Sequence, residues 1–123
     1  MLKKTIVYTD YEGNERTDDF YFNLTQPELL EMNVSEKGGL EKAIERIIAT
    51  DDYRKLVEIF KEIILKAYGE KSLDGRRFVK SKELSEQFSQ TEAYSVLFVE
   101  LATNAEVAIA FVNGIIPPKK ESK

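Results

Sequence analysis

Histidine and cysteine are both missing from this 123-residue chain. Without histidine it lacks the side chain that titrates nearest neutrality and most often serves as general base. Without cysteine it lacks the most reactive nucleophile, the soft metal ligand and any disulfide. Carboxylates, lysine, arginine, tyrosine and hydroxyls are what remains for chemistry. Unbroken apolar runs reach only a few residues, against the roughly 20 needed to cross a bilayer. Residues 1–20 hold no apolar stretch of the signal-peptide kind. A chain with this vocabulary is expected to bind or assemble without catalysis, metal, cofactor or membrane, in the cytoplasm where it is made.

What is present is a globular composition: 42% hydrophobic and 33% charged residues. A single domain follows from the length, and a chain of this size buries about two thirds of its unfolded surface without a staple. The net charge is −4, from 22 acids and 18 bases, so nothing global favours a phosphate backbone. Residues 1–116 are expected to form one α+β domain, and residues 117–123, Pro-Pro-Lys-Lys-Glu-Ser-Lys, a disordered charged tail.

The first 24 residues read as a β-hairpin. Ile6 and Tyr8 alternate with Thr5, Val7 and Thr9; Phe20, Phe22 and Leu24 alternate with Asp19, Tyr21 and Asn23. The turn falls around Asp10-Tyr11-Glu12-Gly13-Asn14. A mostly α-helical bundle of about five helices should follow. Thr25 and Glu28 have capping-box spacing, with Pro27 in the first turn, and Leu29, Leu30 and Met32 supply a short apolar face before Gly38-Gly39. A second helix covers about Leu40 to Ala49. Asp51 or Asp52 caps a third, whose apolar series Tyr53, Leu56, Val57, Phe60, Ile63, Ile64, Ala67 and Tyr68 is the clearest in the chain, with Gly69 as its stop. Residues 70–79 read as a polar loop turning at Asp74-Gly75. Ser81 caps a fourth helix, and the Ser89/Glu92 and Thr103/Glu106 spacings start two more, the last closed by Gly114.

Several constellations invite a site. Asp18 and Asp19 are adjacent on a strand and point to opposite faces, so they cannot grip one ion. Asp51 and Asp52 are better read as helix-start charge. Arg76 and Arg77, with Lys80 and Lys82 nearby, form a basic cluster without the glycine-rich cradle of a phosphate loop. Beside Phe78, the two arginines read as protein-interface material. Tyr11 and Tyr21 sit on a hairpin face with no evident cover, where a strand edge can add a strand from another chain. Tyr11, Tyr21, Arg76, Arg77 and Phe78 are thus the candidate interaction residues.

Three stretches resemble one family. They are Asp19-Phe20-Tyr21-Phe22-Asn23-Leu24-Thr25; Ile64-Leu65-Lys66-Ala67-Tyr68-Gly69 through Asp74-Gly75-Arg76-Arg77-Phe78; and Gln87-Phe88-Ser89-Gln90-Thr91-Glu92-Ala93-Tyr94 through Glu100-Leu101-Ala102-Thr103. Their order and extent are similar to the tail assembly chaperones of long, non-contractile-tailed phages and prophages of Gram-positive bacteria. The resemblance implies that the chain coats the tape measure protein in the host cytoplasm, helps recruit tail tube protein and is absent from the finished virion; self-association is expected from the uncovered hairpin edge. It also implies a frameshifted longer form, for which Lys119-Lys120 is the candidate slippery position. The alternatives are a structural virion protein of the head–tail connector or tail completion type, and a small nucleic-acid-binding regulator using Arg76, Arg77, Lys80 and Lys82.

Overall fold

The computed structural model describes residues 1–31 and 39–117, and of Glu41 the backbone alone. In chain order the elements are β1 (Leu2–Thr9), β2 (Glu15–Phe22), α1 (Gln26–Glu31), α2 (Gly39–Thr50), α3 (Tyr53–Ala67), β3 (Tyr68–Lys71), β4 (Phe78–Val79), α4 (Lys82–Ser89), α5 (Glu92–Thr103) and α6 (Ala105–Ile115). The architecture is α+β, with an N-terminal hairpin and then, among the described residues, six helices. Met32 and Gly38, and the tail from Pro118 on with Lys119-Lys120, lie outside the described residues.

β1 and β2 pair without a break from Leu2 opposite Phe22 to Thr9 opposite Glu15. Their turn is organised by Asp10, whose Oδ1 accepts the Glu12 and Asn14 amides, both at 2.9 Å. Gly13 takes φ 85°, which glycine adopts without penalty. The period of two is realised: Ile6 and Phe22 are buried, Tyr8 and Phe20 half-buried, and Thr5 and Val7 face outward.

The hairpin is extended by two strands. β3 pairs antiparallel with β2, and β4 with β3, giving a four-stranded sheet in the order β1-β2-β3-β4. The stretch expected as a polar loop is therefore a second hairpin. Strands of four and two residues are too short to show alternation. Its turn is tied down: the Ser72 amide donates to the Arg77 carbonyl (2.8 Å), and Asp74 Oδ1 accepts the Ser72 hydroxyl (2.7 Å) and the Arg76 amide (3.0 Å).

Gly69 does not stop α3. That helix ends at Ala67, and Tyr68 is already extended. Gly69 lies inside β3, where a Cβ would meet the Val79 carbonyl oxygen at 2.7 Å and Phe78 Cε2 at 2.8 Å. Glycine is required there by close approach of backbone and ring, not by a left-handed turn. Gly114 likewise sits within α6, where Leu2 of β1 packs against it, and the helix continues to Ile115.

The caps follow the expectation at three helices and depart from it at two. The Thr25 amide donates to Glu28 Oε1 (2.9 Å) and the Glu28 amide to Thr25 Oγ1 (3.3 Å), a closed capping box. Asp52 and Ser81 accept the Lys55 and Leu84 amides. The true caps of α5 and α6 are Thr91 and Asn104, which accept the Tyr94 and Val107 amides. Ser89 and Thr103 end the preceding helices instead, each donating its hydroxyl back to a helix carbonyl, Glu86 and Val99 respectively.

Helices cover one face of the sheet, with α5 and α6 against β1 and α4 against β3; α2 and α3 pack behind them. At the centre is Phe22, fully buried, its ring 5.3 Å from Phe111, 5.7 Å from Phe88 and 5.8 Å from Tyr68. Tyr68 stacks on Phe88 at 4.3 Å. Burial, with the Glu70 carboxylate adding to it, pushes the Tyr68 hydroxyl from 10.0 up to about 12. The folded state thus prefers the neutral phenol. That preference contributes fully below pH 10 and is lost as pH rises through about 12. Tyr68→Phe should flatten the decline of the urea midpoint across this interval while the parent protein keeps falling.

Among the described residues no single helix is long and apolar enough to cross a bilayer. α5 and α6 together carry enough apolar sequence, but the chain bends by 115° between them.

Candidate functional site

α3 and α5 bury their inner faces in the same core and differ in what they show outside. The outer face of α3 is charged, with Arg54, Lys55, Glu58, Lys61 and Glu62 exposed. α5 buries Ala93, Leu97 and Leu101, yet its opposite face presents Ser95, Val96 and Val99, the two valines 41% and 58% exposed. A helix apolar on both sides is a core helix or one with an outside partner. Between α3 and α5 runs a groove of about 460 Å³, lined by Lys61, Leu65, Ser89, Tyr94, Phe98 and Val99. It continues onto an open patch of Ser95, Val96, Val99 and Glu100. Lys61 lines the groove, and Glu100, paired with Lys4 at 3.4 Å, lines the patch. This is a shallow apolar strip with a charged border.

The five candidate residues are not gathered on that strip. The Tyr11 side chain is 73% exposed, and its hydroxyl donates to Glu92 Oε2 at 2.9 Å, which ties the hairpin turn to the start of α5. Tyr21 is half-buried, with the Lys71 ammonium over its ring at 4.5 Å. Arg76 and Arg77 are exposed in the β3–β4 turn, beside a fully exposed Leu73. Phe78 is half-buried at the start of β4, next to Gly69. The structure therefore sets Tyr21 on β2 and Phe78 on β4 to either side of β3, and places Tyr11 in the first hairpin turn.

Lys80 leaves the basic cluster. Its ammonium contacts Glu28 Oε1 at 2.7 Å and Oε2 at 2.8 Å, and donates to the Asn23 carbonyl at 2.5 Å. Burial alone would raise the Glu28 carboxyl; Lys80 and the Thr25 amide more than offset it and hold the group below its ordinary value. Burial dominates for Lys80 and lowers it despite Glu28. The two shifts pull against each other, and the two-pronged contact decides the matter in favour of an ionised pair at neutral pH. It locks the entry of α1 to the β4–α4 connection, leaving Arg76, Arg77 and Lys82 as the exposed cations of that region.

Comparison with known families decides the assignment: the family model described as phage tail assembly chaperone matches residues 1–123. The chain belongs to the phage tail assembly chaperone family. No curated protein and no solved structure matches it. In this chaperone the α5 surface is the feature that residue-by-residue reading passed over. The signal was present: Val96 and Val99 fall off the stripe of Ala93, Leu97 and Leu101, on a segment where every face is apolar.

Proposed function

We propose that this chaperone coats the tape measure protein during tail morphogenesis and helps recruit tail tube protein, making and breaking no covalent bond. It would act in the cytoplasm of the host bacterium and be left out of the finished particle. The observation that supports this reading is the exposed valine face of α5 with its groove against α3. A long helical client displays apolar stripes that need cover, and a shallow strip with a charged border suits such a stripe. The β3–β4 turn, with Leu73 between strands and Arg76 and Arg77 beside it, offers a second contact on a rigid support.

A strip of this size gives weak single contacts, which later displacement by tube subunits requires. Many copies in a row compensate through effective concentration, which can raise apparent affinity by roughly 10²–10⁴. Calorimetric titration of tape measure fragments should show weak binding to a fragment long enough for one copy and far tighter binding to one that holds several. Equal affinity per site at both lengths counts against the proposal.

A further inference from the structure

Among the described residues β3 meets β2 at Tyr21 and Phe22 alone, so residues 15–20 of β2 have β1 on one side and no strand on the other. The Asn23 amide donates to the Ala67 carbonyl at 2.9 Å, which continues the same pairing. Successive residues of an antiparallel strand turn their backbone groups to alternate sides. Odd-numbered residues of β2 therefore aim N–H and C=O toward β3. Past Tyr21 that row runs on through Asp19 and Thr17 with no strand opposite. A cleft of about 500 Å³ opens between this free stretch and the end of β3, with Thr91 of the α5 cap in its lining.

Asp18, Asp19 and Glu70 line the cleft against one cation, Lys71, whose ammonium already lies over the Tyr21 ring. Among the described residues none of the three carboxylates takes part in an ion pair. Each accepts a neutral hydroxyl instead: Asp18 from Tyr8 (2.7 Å), Asp19 from Thr5 (2.6 Å) and Glu70 from Tyr68 (3.5 Å). A free strand edge is a template for any extended chain, and this one repels acidic segments and attracts basic ones. We infer that residues 15–20 receive an extended segment of a partner protein, other than a copy of this chain, with lysine or arginine at alternate positions. Main-chain bonds to Thr17 and Asp19 supply affinity, and the lining selects the side chains. Asp18 and Glu70 stand on the sheet face of Phe20 and Tyr68, and Asp19 on the face of Tyr21. Cationic side chains of one parity lay their stems along Phe20 and Tyr68 and bring their heads to Asp18 and Glu70. Residues of the other parity pass beside Asp19 and Tyr21. The cleft shares no lining residue with the α5 strip, and the inference stands whether or not the client is the tape measure.

Nuclear magnetic resonance titration of the full chain with the peptide acetyl-Lys-Thr-Lys-Val-Lys-Thr-amide at low ionic strength tests it. At saturation, hydrogen exchange of the Thr17 and Asp19 amides should slow roughly tenfold or more, and added salt should weaken binding. The counterpart with glutamate for lysine should not bind. Two N-methylated versions, one modified at the lysines and one at the other residues, should differ. Only one parity faces β2, so one version should lose roughly tenfold or more in affinity while the other keeps it. Asp18→Asn combined with Asp19→Asn keeps acceptors for Tyr8 and Thr5 and should also cost roughly tenfold or more. A lysine peptide that does not bind, or a glutamate peptide that binds as well, overturns the inference. So do N-methylated versions that behave alike, or binding that survives the double substitution. Protection of Thr17 and Asp19 that rises with protein concentration before any peptide is added gives the edge to a second copy and overturns it too.

Discussion

Phe22→Ala is expected to cost about 3–5 kcal/mol of stability, the largest loss from any single truncation in this chain. Phe22 is fully buried and touches three other aromatic rings, from β3, α4 and α6. With Tyr21 it is also one of the two strand residues at which β2 pairs with both neighbours, Leu2 on one side of Phe22 and Tyr68 on the other. Removing its ring leaves a cavity that several elements must move to fill, and edge-to-face contacts worth about 0.5–1.5 kcal/mol each vanish with it. Folded small domains hold only about 5–15 kcal/mol in total. The variant should therefore show a sharply lowered urea midpoint with an unchanged slope. A midpoint within experimental scatter of the parent would show that Phe22 is not the keystone that the geometry makes it.

The centrality of Phe22 was half legible. Alternation in residues 19–24 put Phe20 and Phe22 on one face, and the series in residues 53–68 put Phe60, Ile63 and Ile64 in the core, where they are found. The second hairpin was not legible. Its strands are short, one contains glycine, and their reason for existing is the free edge of β2, which lies 46 residues upstream of the Tyr68 that pairs with Phe22. Local propensity carries no record of such a partner. The cap errors have a similar origin. A Ser or Thr three residues before a Glu is a valid start signal, but a hydroxyl that ends one helix can back-bond to that helix, and the next residue able to cap then takes over. Of the candidate site, the aromatic and basic residues were visible because they are chemically conspicuous. Val96 and Val99 were not, because exposed valines draw notice only once the opposite face is known to be full.

Val96→Asp combined with Val99→Asp is expected to abolish measurable binding to a multi-site tape measure fragment while leaving the fold in place. Both positions are exposed and outside the core, so the change in stability should stay within about 1 kcal/mol. Loss of apolar burial at two valines in a contact, at about 1.5–3 kcal/mol for each fully buried side chain, already predicts a loss of hundredfold or more. Two carboxylates stripped of water add to it, and the deficit repeats at every copy along the client. Pull-down and calorimetry on the same preparation, with circular dichroism as the control for folding, give the readout. Binding at parental strength would move the client surface elsewhere, and the β3–β4 turn with Leu73, Arg76 and Arg77 would be the next place to test.

One hydrogen bond has consequences for how the protein is born. The Leu24 amide, just past the first hairpin, donates to the Ile115 carbonyl at 2.8 Å, and Leu2 packs on Gly114. The first of the described elements to be synthesised is thus completed by the last of them. Until α6 emerges, the hairpin lacks part of its floor, and Phe22 lacks the ring of Phe111. Such long-range closure is slow relative to local helix formation, so the hairpin completes its packing only once α6 has been made, and a chain without α6 keeps its interior open.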